Sequence, residues 1–266
     1  MGEPSLENVT LEFDEGLAVL TLDDPERLNA IGPVMAESMM RALQECAKPR
    51  RGVRALLVTG TGRGFCAGAN IAGRGSEGMT NLPVISRADG VYHPLIRKLR
   101  DFDRPIIAAV NGACVGIGFA VALQADYIVA SEAAYFSTPF ARLGSGPDCG
   151  LTWSLPRLIG PMRARRMLMR AEKISAADMA DWGVVAQTLP AEDFPAAARK
   201  IAMEFAQGPT VALSEMRRLL QDSLRSEFDT HLETESRALA RTFRSKDNQV
   251  GIRAFATKSQ PVFTGE

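Results

Sequence analysis

Residues 105–131 read PIIAAVNGACVGIGFAVALQADYIVAS. Ile106 to Val110 form an apolar run without alternation, as expected of a strand covered on both faces in a parallel sheet. Glycines at 112, 116 and 118 make a turn that runs straight into the apolar, helix-forming stretch 119–125. DYIVAS then returns as a second short strand. Strand, glycine turn, helix and strand in that order make a βαβ unit, and the class is α/β.

The flanking sequence repeats the pattern. VRALLVTG (53–60) is another apolar strand, followed by the glycine-rich TGRGFCAGANIAG (61–73). VTLEFDEGLAVLTLD (9–23) alternates apolar and polar residues about Glu15-Gly16, which predicts a β-hairpin. A helix is expected from about Pro33, with proline in its first turn and Met, Leu and Ala on one face. VYHPLIRKLRDFD (91–103) is helical in pattern, AYFSTP (134–139) a short strand, and 73–83 a surface loop poor in apolar residues. From about Glu192 onward only helical periodicity remains. The expected organisation is a core over 1–195 and a helical region over 196–266, with no strand left to cover and suited to a lid or an oligomer interface.

Composition narrows the function. Hydrophobic residues make up 46% and charged ones 23%, and 31 basic residues balance 31 acidic ones. Zero net charge gives no global field to recruit nucleic acid or an anionic membrane, so a small ligand is expected. Cys46, Cys66, Cys114, Cys149, His93 and His231 share no metal-type spacing, and no metal is expected. Scattered cysteines suit a reducing compartment, where a free thiol behaves as a small hydrophobe. The N-terminus lacks a basic region followed by an apolar run, and no stretch is long enough to span a membrane. A cytoplasmic enzyme is the expectation.

Two glycine loops after strands invite a dinucleotide reading, which fails on its third glycine. Val121 and Phe65 occupy those positions, and there is no phosphate-binding G-x-x-x-x-G-K-[ST] motif. Taken as a pair, the loops could aim two unpaired backbone N–H groups at one point and form an oxyanion hole. Taken singly, each glycine could merely permit a tight turn.

Several segments together resemble the crotonase superfamily, the enoyl-CoA hydratase/isomerase family. These are GFCAGANI (64–71), the stretch 105–131, DDPERLNAI (23–31), STPFARLGSGPDCG (137–150), MRAEKISAADMADWGVVAQTLP (169–190) and IRAFATKSQPVFTG (252–265). The resemblance implies a spiral of βαβ units with two stacked sheets and C-terminal helices that pack a homotrimer or a dimer of trimers. It implies an acyl-CoA thioester as substrate, with coenzyme A as part of that substrate and no separate cofactor. The thioester carbonyl would rest on the N–H groups of Ala69 and Ile117. CoA would contact Ala67, Gly68 and Ile71, with Phe255 and Lys258 approaching it, across a subunit boundary if the chains associate. Asn70 departs from the Asp usual in the family.

Side chains then select the reaction. Hydration needs two acid–base groups, and the resemblance places the family's two glutamates at Ala120 and Phe140. Neither can carry a proton. Shifting a double bond needs one base, and Asp148 in GSGPDCGLTW (144–153) occupies the place where isomerase branches, including phenylacetate-pathway enzymes, keep theirs. Asp148 is either a helix cap or that proton shuttle. Apolar neighbours Phe140, Ala120 and Trp153 should desolvate it and raise its pKa. Two alternatives stay open: a CoA-ester-binding protein without catalysis, and a hydratase, hydrolase or lyase with displaced acid–base groups. Cys149 reads as a buried structural thiol, and Tyr92 and His93 as either pocket-lining or packed residues. Arg97, Lys98 and Arg100 read as a solvated helix face, and Asp126 as structural.

Overall fold

The computed structural model describes residues 5–70 and 88–266. Strands β1 (Val9–Asp14) and β2 (Leu17–Leu22) form the expected antiparallel hairpin. Both turn residues are left-handed, with φ of 45° at Glu15 and 88° at Gly16. That geometry matches the twist of a two-residue hairpin. Parallel strands β3 (Ala55–Gly60), β5 (Ile106–Val110), β7 (Tyr127–Ser131) and β10 (Gln187–Leu189) extend this sheet in the order β1-β2-β3-β5-β7-β10. A second sheet stacks β4 (Gly64–Cys66), β6 (Ala113–Val115), β8 (Tyr135–Ser137) and β9 (Lys173–Ser175). Three times the chain leaves a strand of the large sheet and directly adds one to the small sheet. This is the two-sheet spiral. Strands β9 and β10 were not evident in the sequence.

Helices follow in chain order: α1 (Pro33–Cys46), α2 (His93–Arg100), α3 (Ile117–Ala122), α4 (Leu151–Arg170), α5 (Ala176–Asp181) and α6 (Phe194–Ala206). The C-terminal region adds α7 (Thr210–Ser223), α8 (Phe228–Thr242) and α9 (Lys246–Thr257). Helix α4 carries a break at Gly160, where φ of 78° and a following Pro161 interrupt the ladder.

Unbroken apolar runs in the central strands now have a cause. Leu56, Val58, Ile106, Ala108 and Val110 face one core, shared with α1 and the second sheet. Leu57, Ile107, Ala109 and Val129 face another, closed by Phe194, Ala198, Ala202 and Ala206 of α6. The boundary expected after residue 195 therefore falls inside a helix that covers the sheet, and α6 packs with the core. The sequence pattern of α6 reads as tail because the face it covers is set by strands far away along the chain.

Arg217 of α7 pins the helical region to this core. Its side chain is 4% exposed and donates to the carbonyls of Leu99 (2.8 Å), Phe102 (2.8 Å) and Gln124, and to the Asp126 carboxylate. Asp126 in turn accepts from the Ile106 N–H at 2.8 Å, fixing the start of β5. Burial pushes the Asp126 carboxyl up, against the opposing pull of Arg217. A buried guanidinium is costly unless its donors are met, and here the carbonyls at the end of α2 meet them.

Glu45, 2% exposed at the end of α1, gathers Lys48, Arg50 (2.8 Å) and Arg51 (2.7 Å). Hydrogen bonds from Lys48 and Arg51 hold its carboxyl down at about 2, below its ordinary value of 4.5. A depressed folded-state value means the stabilisation is complete above about pH 4.5 and is lost as pH falls toward 2. Glu45→Gln should therefore flatten the pH dependence of the urea midpoint across that window. An unchanged slope would remove Glu45 from the acid response.

Candidate active site

The glycine loops that follow β4 and β6 do converge. Parallel pairing of β4 with β6 sets Cys66 opposite Cys114, so the chain leaves both strands side by side. Gly68 (φ +109°) and Gly116 (φ +54°) hold backbone conformations that side chains rarely adopt. A Cβ on Gly116 would lie 3.9 Å from the Gly68 Cα and 3.9 Å from Phe140 Cζ, which measures how closely the loops approach.

Hydrogen bonding then orients the two amides. Ile31 donates to Gly68 O (2.8 Å) and accepts from the Asn70 N–H (2.9 Å), an isolated parallel bridge centred on Ala69. Such a bridge engages the residues before and after the central one, which turns the Ala69 N–H away from Ile31. Ile117 is the first residue of α3, so its N–H has no partner within the helix. Among the described residues neither N–H is a donor in the backbone network. Ala67 is tied by its N–H to Leu28 O at 2.9 Å. Ile71 lies outside the described residues.

Two residues support this arrangement, of which the sequence reading singled out only Tyr92. Asn29, fully buried, donates to Gly64 O (2.8 Å) and Thr61 O (2.9 Å) and accepts from the Asp24 N–H (2.8 Å). Tyr92, 8% exposed, donates from its hydroxyl to Ile31 O at 3.3 Å, bracing the segment that bridges Ala69. Its neighbour His93 pairs with Asp89 at 2.9 Å on the surface. Asn29 adopts a left-handed φ of 58°, a conformation that Asn tolerates better than most residues.

Both positions expected to be emptied are apolar and in place. Ala120 is 1% exposed on α3, and Phe140 packs against the same core cluster beside Gly116. The loop 141–147 is exposed, Asp148 half-buried and Cys149 2% exposed. Cys149 anchors the loop in the core cluster to which Ile117, Ala120 and Leu151 also belong.

Capping is not its role here. Helix α4 begins at Leu151 with Gly150 as its cap and no side-chain cap bond. Cys149 (φ 55°) and Gly150 (φ 78°) are consecutive left-handed residues. That conformation costs the cysteine about 1–2 kcal/mol, a strain typical of functional loops. Trp153, expected among the apolar neighbours of Asp148, lies instead between the guanidinium groups of Arg100 (4.7 Å) and Arg157 (4.2 Å). Arg100 is thus stacked rather than part of a solvated face. Burial, then the nearby Asp148 charge, push the Cys149 thiol up. Burial lifts Cys46 and Cys66 to about 12 as well, so none of these thiols is a nucleophile near neutral pH. No group of metal ligands occurs among the described residues. Phe255 is 90% exposed on α9 and Lys258 ends that helix with φ 53°, so neither packs on its own chain's core.

A two-sheet spiral with paired glycine loops is the architecture of a crotonase-type enzyme. The enoyl-CoA hydratase/isomerase family profile matches residues 12–266, and the chain belongs to that family. It is 37% identical over 261 residues to a probable enoyl-CoA hydratase of Rhodobacter capsulatus, covering 98% of this chain and 99% of that protein. It is 33% identical over 262 residues to the 1,2-epoxyphenylacetyl-CoA isomerase of Escherichia coli, covering 98% and 100%. The crystal structure of an enoyl-CoA hydratase/isomerase from Cupriavidus metallidurans superimposes with a TM-score of 0.89 at 27% identity, covering 99% and 98%. No helix among the described residues is long and apolar enough to cross a membrane.

Proposed function

We propose that the protein is an enoyl-CoA isomerase that moves a C=C bond from the β,γ to the α,β position of an acyl-CoA thioester. The thioester oxygen sits between the N–H groups of Ala69 and Ile117, which hold the negative charge of the enolate. Asp148 takes a proton from C2 and returns it at C4, so one carboxylate serves both steps. The observation that carries this reading is the pairing of apolar Ala120 and Phe140 with an acid in the adjoining loop. Ala67 and Gly68 border the CoA moiety in this reading. The likeness to a 1,2-epoxyphenylacetyl-CoA isomerase favours the same class of substrate.

Incubation with a 3-enoyl-CoA should raise the absorbance of the conjugated thioester. Formation of a 3-hydroxyacyl-CoA from a 2-enoyl-CoA, with no double-bond shift, would instead assign a hydratase. That is the activity named for the R. capsulatus relative.

We further infer that a second and third copy of the chain cover the C-terminal helices. Met216, Leu220, Leu239 and Phe243 are each more than half exposed on α7, on α8 and just beyond it, and Phe255 and Val262 follow on α9 and the tail. An apolar surface of this extent is a mark of association. Phe255 and Lys258 would then reach the CoA site of a neighbour. Light scattering should return a multiple of the 28.7 kDa chain mass. A monomer at micromolar concentration would refute the assembly.

A further inference from the structure

The C-terminal end of α2 meets α7 and α8 around a cavity of ≈ 400 Å³ whose walls include four arginines. It lies at the N-terminal ends of β5 and β7, where Arg217 and Asp126 meet, whereas the Ile117 amide lies beyond the C-terminal end of β6. Most of the charge is spent locally. Arg217 is consumed by carbonyls and Asp126, and Arg218 pairs with Glu215 at 3.1 Å. On the acidic side, Asp103 pairs with Arg104 at 2.6 Å and Asp222 accepts from the Ser226 hydroxyl at 2.7 Å.

Two cations are left over. Among the described residues neither Arg100 nor Arg225 has a carboxylate within ion-pair distance, although Asp101 shares the wall. Stacking on Trp153 at 4.7 Å fixes the plane of the Arg100 guanidinium. Burial and the like charges of Arg225 and Arg217 act together to lower its pKa, outweighing the attraction of Asp101. Ser214 lines the same space, and its hydroxyl oxygen is buried with no hydrogen-bond partner in the structure.

We propose that this cavity is a binding site for a phosphate-type dianion. Arg100 of α2 and Arg225 of the turn after α7 offer guanidinium N–H groups from two places, and Ser214 of α7 lines the same wall. That spread suits the several acceptor oxygens of a tetrahedral oxyanion better than a planar carboxylate. The site owes nothing to the reacting end of the acyl-CoA, and it links α2, α7 and α8, so an anion there would fasten the helical region to the core.

Titration of the full-length protein with inorganic phosphate, at ionic strength held constant with chloride, tests the site by calorimetry. A parallel arm with methyl phosphate separates free phosphate from a phosphoryl group carried on a larger molecule. Saturable binding of either is expected, with Arg225→Gln weakening it about tenfold or more, the worth of one charge-assisted bond. Ser214→Ala should weaken it less. Arg237→Gln removes an equal charge from the exposed face of α8 and should change nothing. Preference for phosphate supports a free ion, and preference for methyl phosphate supports a phosphoryl group, both at this site. Absence of saturable binding overturns the proposal, as does binding that Arg225→Gln and Arg237→Gln alter equally. None of these outcomes depends on isomerase activity.

Discussion

Asp148→Asn is expected to lower isomerase turnover by about 10²–10⁴-fold, the usual worth of a positioned general base. The substitution keeps the size and planarity of the side chain and removes only its capacity to carry a proton. Cys149 remains the buried anchor of the loop, and the Ala69 and Ile117 amides are untouched, so binding of a saturated acyl-CoA should hold within about threefold. The diagnostic pattern is a loss in kcat with little change in the dissociation constant. Retention of most of the turnover would sink the assignment and return attention to displaced acid–base groups. Because Asp148 makes no side-chain cap bond to α4, the variant should also melt at the wild-type temperature. A large fall in Tm would point to a structural role instead.

Gly118→Ala should harm both stability and turnover. The new Cβ would stand 2.5 Å from Cys66 Cβ and 2.6 Å from Cys66 O, too close for any relaxed contact. Both groups belong to the backbone or first side-chain atom of β4, which is held by pairing with β6, so no flexible tip can move aside. Overpacking of this kind costs about 1–3 kcal/mol and occasionally more. The forced shift runs along β4 directly into Gly68 and Ala69. It would misplace one amide relative to the other, and losing one oxyanion donor costs about 2.7–4 kcal/mol in the transition state. Gly90→Ala, where an added Cβ meets nothing within 4 Å, is the neutral control. Equal Tm and kcat in the two variants would refute the tight packing of α3 on β4.

The α/β class and the paired loops were legible because they are written in contiguous stretches. A run such as Ile106 to Val110 needs cover on both faces, and it has it. The glycines at 68 and 116 mark left-handed positions that the sequence can announce only through glycine. What stayed hidden depends on partners distant along the chain. Arg217 reads as one more basic residue on an amphipathic helix until the carbonyls of Leu99 and Phe102 are seen to receive it. Trp153 read as a neighbour of Asp148 by proximity along the chain, yet helix α4 turns it toward Arg100 and Arg157. Strand β9 covers three residues and earns its place only by pairing with β8. A segment that short carries no period of its own.

The Arg217 clamp also bears on the order of events during synthesis. Its partners precede it by 118, 115 and 91 residues, so the contact closes a long loop. Strands β1 to β8 can emerge and pair while the carbonyls at the end of α2 still face water. Only after α7 has left the ribosome does a guanidinium arrive to replace that water. The spiral would therefore exist first as an unfinished body with a hydrated seam. The docking of α7 then rests on charge-assisted bonds at that seam.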